Sequence, residues 1–127
     1  MKASVPVRIL VVDDAATVRD ACVELIRGLG YEVNVVADAA EALVCLREER
    51  FDAVVTDIVM PGMDGWQLIA AVIHAQPMLR LVAMTGADVE GDRERALALG
   101  VRLLQKPFTR VELGDALQEA LTSFRRS

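Results

Sequence analysis

The sequence predicts an α/β domain of the doubly wound kind, with five parallel strands in one sheet and helices on both of its faces. Three observations carry that expectation. Apolar residues switch repeatedly between short continuous runs and i, i+3, i+4 spacing, the alternation of strand with helix. The strongest runs, Arg8-Ile-Leu-Val-Val and Ala53-Val-Val-Thr, are Val-rich without polar alternation, as in strands covered on both sides. Connections between successive units are short, which forces parallel pairing through right-handed crossovers and leaves helices above and below the sheet.

Taken in order, strands are expected at Arg8–Asp13, Glu32–Val36, Ala53–Asp57, Leu79–Thr85 and Val101–Gln105, each followed by a helix. The first helix carries Val18, Ala21, Cys22, Leu25 and Leu29 on one stripe and should stop at Gly30, where a left-handed conformation costs glycine little. Gly100 should end the fourth helix in the same way. Helix starts are written as capping boxes in Asp38 with Glu41, Asp64 with Gln67, and Thr109 with Glu112. Met63 with Leu68, and Phe108 with Leu113, sit at hydrophobic-staple spacing. The last helix buries Leu113, Ala116, Leu117, Ala120 and Leu121, and its Gly114 weakens it by about 1 kcal/mol relative to alanine for no reason visible in the sequence.

Bulk properties narrow the function. At 127 residues the chain is one domain, expected to span 1–127 with its core at about 7–123, and it can bury a core without disulfides. More than half of it is apolar (54%), yet no apolar run approaches a membrane span and no signal peptide pattern opens it, so it reads as cytoplasmic with no membrane partner. A formal charge of -5 with scattered basic residues argues against direct nucleic-acid binding. Cys22 and Cys45 lack Cys-x-x-Cys spacing and read as small buried hydrophobes. His74 reads as a surface residue, Trp66 as a side chain packing across a helix end, and Arg125-Arg126 as a solvated tail.

The chemistry lies at the carboxyl ends of the strands, where ligands of such folds bind at the switch in strand order. Asp13 and Asp14 close the first run and Asp57 the third. Three carboxylates in one small space repel, and a desolvated carboxylate costs several kcal/mol unless compensated, so the group calls for a cation. The oxygen-seeking Mg²⁺ fits best. Thr85 ends the fourth strand and Lys106 follows the fifth. A carboxylate can attack a phosphoryl group to form an acyl phosphate, a transfer governed by positioning and charge neutralisation. In that chemistry Asp57 is the nucleophile, Asp13 and Asp14 hold the metal, Lys106 faces one phosphoryl oxygen and the Thr85 hydroxyl donates to another, with Gly86 leaving room.

The stretches Ile9-Leu-Val-Val-Asp-Asp14, Asp57-Ile-Val-Met-Pro-Gly-Met-Asp-Gly65, Met84-Thr-Gly86 and Lys106-Pro-Phe108 together resemble the receiver domain of two-component response regulators, the CheY-like family of flavodoxin-like fold. The resemblance covers nearly the whole chain. It implies the strand order 2-1-3-4-5, a cis Lys106–Pro107 peptide, and phosphoryl acceptance by Asp57 from a histidine kinase or a histidine phosphotransfer protein. It implies Mg²⁺ held by Asp14, Asp57 and the Val59 backbone carbonyl, with Asp13 acting through water, and no other cofactor. It places the switched surface on the fourth helix, fifth strand and fifth helix, which would control a downstream protein. Such a domain assists its own phosphorylation and dephosphorylation but is a signalling module rather than an enzyme.

The chain departs from the family at Leu103. Many receivers carry Tyr or Phe three residues before the lysine as a rotating switch coupled to the threonine, and leucine has neither ring nor hydroxyl. Either Leu103 repacks, or the output runs through backbone shifts near Gly86 and Val101. Val59 and Ala87 offer no group to orient water, so slow loss of the phosphoryl group is expected. Alternatives are a receiver cut from a hybrid sensor kinase and a docking receiver that works without phosphorylation. A phosphatase of the haloacid-dehalogenase type would want Asp-x-Asp, and a flavin-nucleotide binder would not set Asp13 and Asp14 against a phosphate. The chain ends soon after its fifth helix, so no output domain is expected.

Overall fold

The computed structural model describes residues 5–86 and 91–122. Five strands and five helices alternate: β1 (Arg8–Val12), α1 (Ala16–Gly28), β2 (Glu32–Val36), α2 (Ala39–Glu48), β3 (Ala53–Asp57), α3 (Gly65–Ala75), β4 (Arg80–Thr85), α4 (Asp92–Leu99), β5 (Arg102–Gln105) and α5 (Arg110–Thr122). All pairings are parallel and the order is β2-β1-β3-β4-β5. The strand boundaries fall within a residue of expectation: β1 stops at Val12 rather than Asp13, and β4 and β5 begin one residue late. Asp13 stands just past the strand, its N–H still donating to the Val36 carbonyl at 3.2 Å while its Oδ1 accepts the Ala15 N–H at 2.8 Å.

Side-chain alternation sorts the core into two layers. Leu10, Val12, Val54, Leu81 and Ala83 face α2, α3 and α4, and join Ala42, Leu46, Trp66, Leu68, Ile69, Val72 and Ala96. Ile9, Val11, Ala53, Val55, Val82, Met84 and Leu104 face α1 and α5, and join Cys22, Ile26, Leu113, Ala116 and Leu117. β3 is buried at every position, whereas β2 and β5 at the edges are largely exposed, which is why the central runs read as continuously apolar. In α1 the expected stripe packs at Val18, Cys22, Leu25 and Leu29, with two differences. Ile26 is fully buried beside Cys22, while Ala21 faces outward.

Helix ends follow the sequence closely. Gly30 (φ +92°) and Gly100 (φ +71°) both close Schellman motifs, with Tyr31 N–H donating to the Ile26 carbonyl at 3.3 Å and Val101 N–H to that of Ala96 at 2.8 Å. The boxes of α3 and α5 close fully: Asp64 with Gln67, and Thr109 with Glu112. At α2, Asp38 caps the Glu41 N–H, but Glu41 reaches back to Ala37 rather than to Asp38. Phe108 joins the α1/α5 layer that holds Leu113, whereas Met63 remains exposed. Gly114 acquires its reason here: a Cβ on it would lie 3.3 Å from the Leu29 side chain, so its bareness lets α5 lie close against the end of α1.

Candidate functional site

The carboxyl ends of β1, β3 and β5 converge on one acidic hollow. Asp57, at the last position of β3, is only 6% exposed, and Asp13, just past β1, is fully buried, while Asp14 stands in solvent. One carboxylate oxygen from each of Asp13, Asp14 and Asp57 lies within 4.8 Å of the other two. Lys106 enters from the end of β5, its Nζ 2.8 Å from Asp13 Oδ2 and 3.3 Å from Asp57 Oδ1. The peptide that follows it, Lys106–Pro107, is cis. Asp13 is thereby satisfied on both oxygens, by the Ala15 N–H and by Lys106, and its own carbonyl accepts from Arg19 Nη1 at 2.7 Å.

Asp57 is the strained member. Burial, and then the neighbouring charge of Asp13, push its pKa above the ordinary carboxylate value, and Lys106 opposes this without cancelling it. Burial works against the Lys106 charge as well, but its hydrogen bond to Asp13 and the field of Asp57 outweigh that, and its pKa is raised. The donor set, three carboxylates of which two are buried, supplies only hard oxygen ligands and more negative charge than one ammonium offsets. That chemistry fits Mg²⁺.

The backbone around Asp57 is held tightly. Ile58 N–H donates to the Met84 carbonyl at 3.0 Å and Gly65 N–H to the Ile58 carbonyl at 2.8 Å. A Cβ on Gly65 would collide with the Asp57 carbonyl and lie 2.6 Å from Ile58 Cα, so only glycine lets α3 begin against the end of β3. Thr85, at the end of β4, is 3% exposed, and its carbonyl accepts the Lys106 N–H at 2.7 Å. Alternation separates the group: Asp13, Asp57 and Lys106 continue the residues facing α1 and α5, while Thr85 and Leu103 continue those facing α2, α3 and α4. Leu103 is half-buried against that second layer. The Val59 side chain is 71% exposed just beyond Asp57, and Ala87 lies outside the described residues, as does the Arg125-Arg126 pair.

The family model for the response regulator receiver domain matches residues 9–118. The chain belongs to that family. This receiver is 37% identical over 109 residues to response regulator MprA of Mycolicibacterium vanbaalenii, an alignment covering 85% of this chain and 47% of that one. It is 36% identical over 110 residues to the transcription factor SKN7 of Saccharomyces cerevisiae, covering 86% of this chain and 18% of that one. The chain thus spans less than half the length of these curated relatives. Among solved structures it resembles the Vibrio cholerae chemotaxis protein CheY4 (TM-score 0.85, 29% identity, covering 92% of this chain and 100% of that one). It also resembles the receiver domain of a sensor histidine kinase of Pseudomonas aeruginosa, solved with magnesium coordinated in its cleft (TM-score 0.81, 32% identity, 94% and 100% covered). The receiver assignment and the five-stranded order 2-1-3-4-5 expected from the four motifs therefore both hold.

Other expectations resolve at the level of single side chains. Cys22 is fully buried and its thiol is pushed up to about 11, first by burial and then by the charge of Asp13, so it is not a reactive thiolate. Cys45, expected to be buried, is only half-buried, with its Sγ 3.8 Å from Glu49 Oε2. His74 is exposed as expected. Trp66 is 5% exposed in the α2/α3/α4 layer, and the guanidinium of Arg95 in α4 lies over its ring, 4.9 Å from the centroid. Nothing in the sequence pairs these two, because α3 and α4 meet only by packing on the same face of the sheet. Among the described residues no helix is long and apolar enough to cross a membrane.

Proposed function

We propose that this receiver accepts a phosphoryl group on Asp57 in a Mg²⁺-dependent reaction and passes the change of charge to the surface built from α4, β5 and α5. The observation that carries the reading is the Asp57 carboxylate itself, nearly buried yet within 4.8 Å of the oxygens of Asp13 and Asp14 and 3.3 Å from Lys106. Asp14, Asp57 and the Val59 carbonyl would hold the ion directly, with Asp13 through water. Bound there, it would supply positive charge to offset the acids and the phosphoryl oxygens.

The chain's own residues do the rest. An oxygen of Asp57 attacks phosphorus, the P–N bond of a phosphohistidine breaks, and its electron pair leaves with the imidazole, which takes up a proton. The donor is a histidine kinase or a histidine phosphotransfer protein. Lys106, drawn away from Asp13, pairs with one phosphoryl oxygen, and the Thr85 hydroxyl donates to another. Because Thr85 belongs to the side of the sheet that faces α4, this pull is felt on the layer containing Leu103 and Ala96. A nearly complete switch needs a bias of about 5.5 kcal/mol between the two states. The downstream target is a protein recognised at that face. A receiver taken from a hybrid sensor kinase remains a second reading, favoured by the likeness to the Pseudomonas aeruginosa kinase receiver.

Incubation with Mg²⁺ and a small phosphodonor, followed by intact-mass measurement, is the test. One phosphoryl adduct, absent from Asp57→Asn and absent under a chelator, is expected. An unmodified chain under these conditions would leave only the docking role. The adduct should decay slowly, since Val59 presents no polar group to orient water, and decay within seconds would contradict that.

A further inference from the structure

We propose that Arg95 and Trp66 form a latch that holds α4 in its unphosphorylated position, so that phosphorylation must displace Arg95 from the indole. The inference rests on the phospho-acceptor reading above and adds to it the coupling element that Leu103 does not provide.

Trp66 is fixed to the acceptor. It stands in the first turn of α3, one residue after the Gly65 that abuts the Asp57 carbonyl, and it is buried in the layer that also holds Met60, Ala96 and the half-buried Leu103. Its position therefore follows the Asp57 backbone rather than α4. Arg95 belongs to α4, the helix with the weakest hold on the core. Ala96 is its one buried residue, Leu97 is 83% exposed, and among the described residues no side chain caps its start at Gly91. For so lightly anchored a helix, a guanidinium 4.9 Å above an indole face is a substantial part of what sets its place. β5 carries Leu103 where a rotating ring would otherwise report the threonine, and the large aromatic side chain of this layer next to α4 comes from α3 instead. Drawing Thr85 toward a phosphoryl group shifts the end of β4 on the face against which α4 packs. Arg95 is then pulled across a ring that does not move.

Trp66 is the chain's single tryptophan, so its emission reads the latch directly. Mg²⁺ with beryllofluoride serves as the phosphoryl mimic, and ¹⁹F NMR shows independently whether the Asp57 complex has formed. In the wild-type chain, emission should change in step with that complex. Arg95→Met keeps the apolar stem and removes the charge. Its emission without the mimic should lie near that of the mimic-bound wild type, and the half-saturating beryllofluoride concentration should fall by about 2- to 5-fold, the range spanned by a partly exposed cation–π contact. Arg95→Lys should fall between the two. A fully formed complex with unchanged Trp66 emission, or a half-saturation in Arg95→Met equal to or above that of the wild type, would overturn the latch while leaving phosphoryl acceptance intact. Failure of the complex to form would instead remove the phospho-acceptor reading, and the latch with it.

Discussion

The two rims of the sheet treat charge in opposite ways. At the amino-terminal rim, Arg8 donates to Glu49 at 2.7 Å and to the Arg50 carbonyl at 2.9 Å, lies 4.6 Å above the Phe51 ring, and stands 3.7 Å from Glu32. Asp52 accepts the Arg8 backbone N–H at 2.9 Å. Arg8 and the acids around it pair with one another, and the result is a clasp joining β1, β2 and the approach to β3. At the carboxyl-terminal rim, three carboxylates share one ammonium. The first arrangement stabilises the fold. The second leaves negative charge uncompensated, at the rim that holds the proposed phospho-acceptor.

The largest expected effect of breaking the contrast is at Asp57. Asp57→Asn should abolish the adduct entirely and, by removing a like charge from a buried group, should stabilise the metal-free chain by roughly 0.5–2 kcal/mol. The pH dependence has a definite sign. The folded-state pKa of Asp57 is raised, so the native state holds its proton more tightly than the unfolded chain does. The associated stability is present in full below the unfolded carboxylate pKa and is lost as pH rises through the raised folded value. In chelator, Asp57→Asn should therefore gain most over the wild type at neutral pH and least in acid, as measured by urea titrations across that range. A wild-type advantage at neutral pH would show that the rim is not strained.

Supplying the missing charge should act in the same direction. Mg²⁺ at about one hundred times its dissociation constant should stabilise the wild type by about 2.7 kcal/mol, a rise in melting temperature on the order of 10 °C. Asp14→Asn should lose most of that rise. At the opposite rim, Arg8→Ala should lower the melting temperature by a few degrees and leave the phosphoryl adduct unchanged, as checked by calorimetry beside intact mass. The smallest effect belongs to Gly114→Ala, where about 1 kcal/mol of helix propensity is set against a Cβ 3.3 Å from the Leu29 side chain. A net change within about 0.5 kcal/mol is expected in denaturant midpoints, and a clear gain would mean that α5 does not need its close approach to α1.

Much of this could be read from residues alone, and the reasons are local. Parallel strands buried on both faces leave continuous Val and Leu runs, capping requires particular side chains at fixed spacing, and a left-handed helix end favours glycine. Asp13, Asp57, Thr85 and Lys106 were legible because each stands where an apolar run stops. Less legible was anything decided by a neighbour distant in sequence. The role of Gly114 depends on Leu29, and that of Gly65 on the peptide after Asp57.

The amino-acid order by itself determined the strand–helix alternation, the helix ends and the identity of the acidic rim, since periodicity, backbone preference and the chemistry of carboxylates act over a few residues. Tertiary structure alone decided that Lys106 rests between Asp13 and Asp57, that Thr85 and Leu103 belong to the opposite layer from the acids, and that Arg95 covers Trp66. Those relations depend on the register of one strand against the next and on which face of the sheet each helix covers. Only the assembled layers set these distances, because they join residues tens of positions apart through the packing of the whole core.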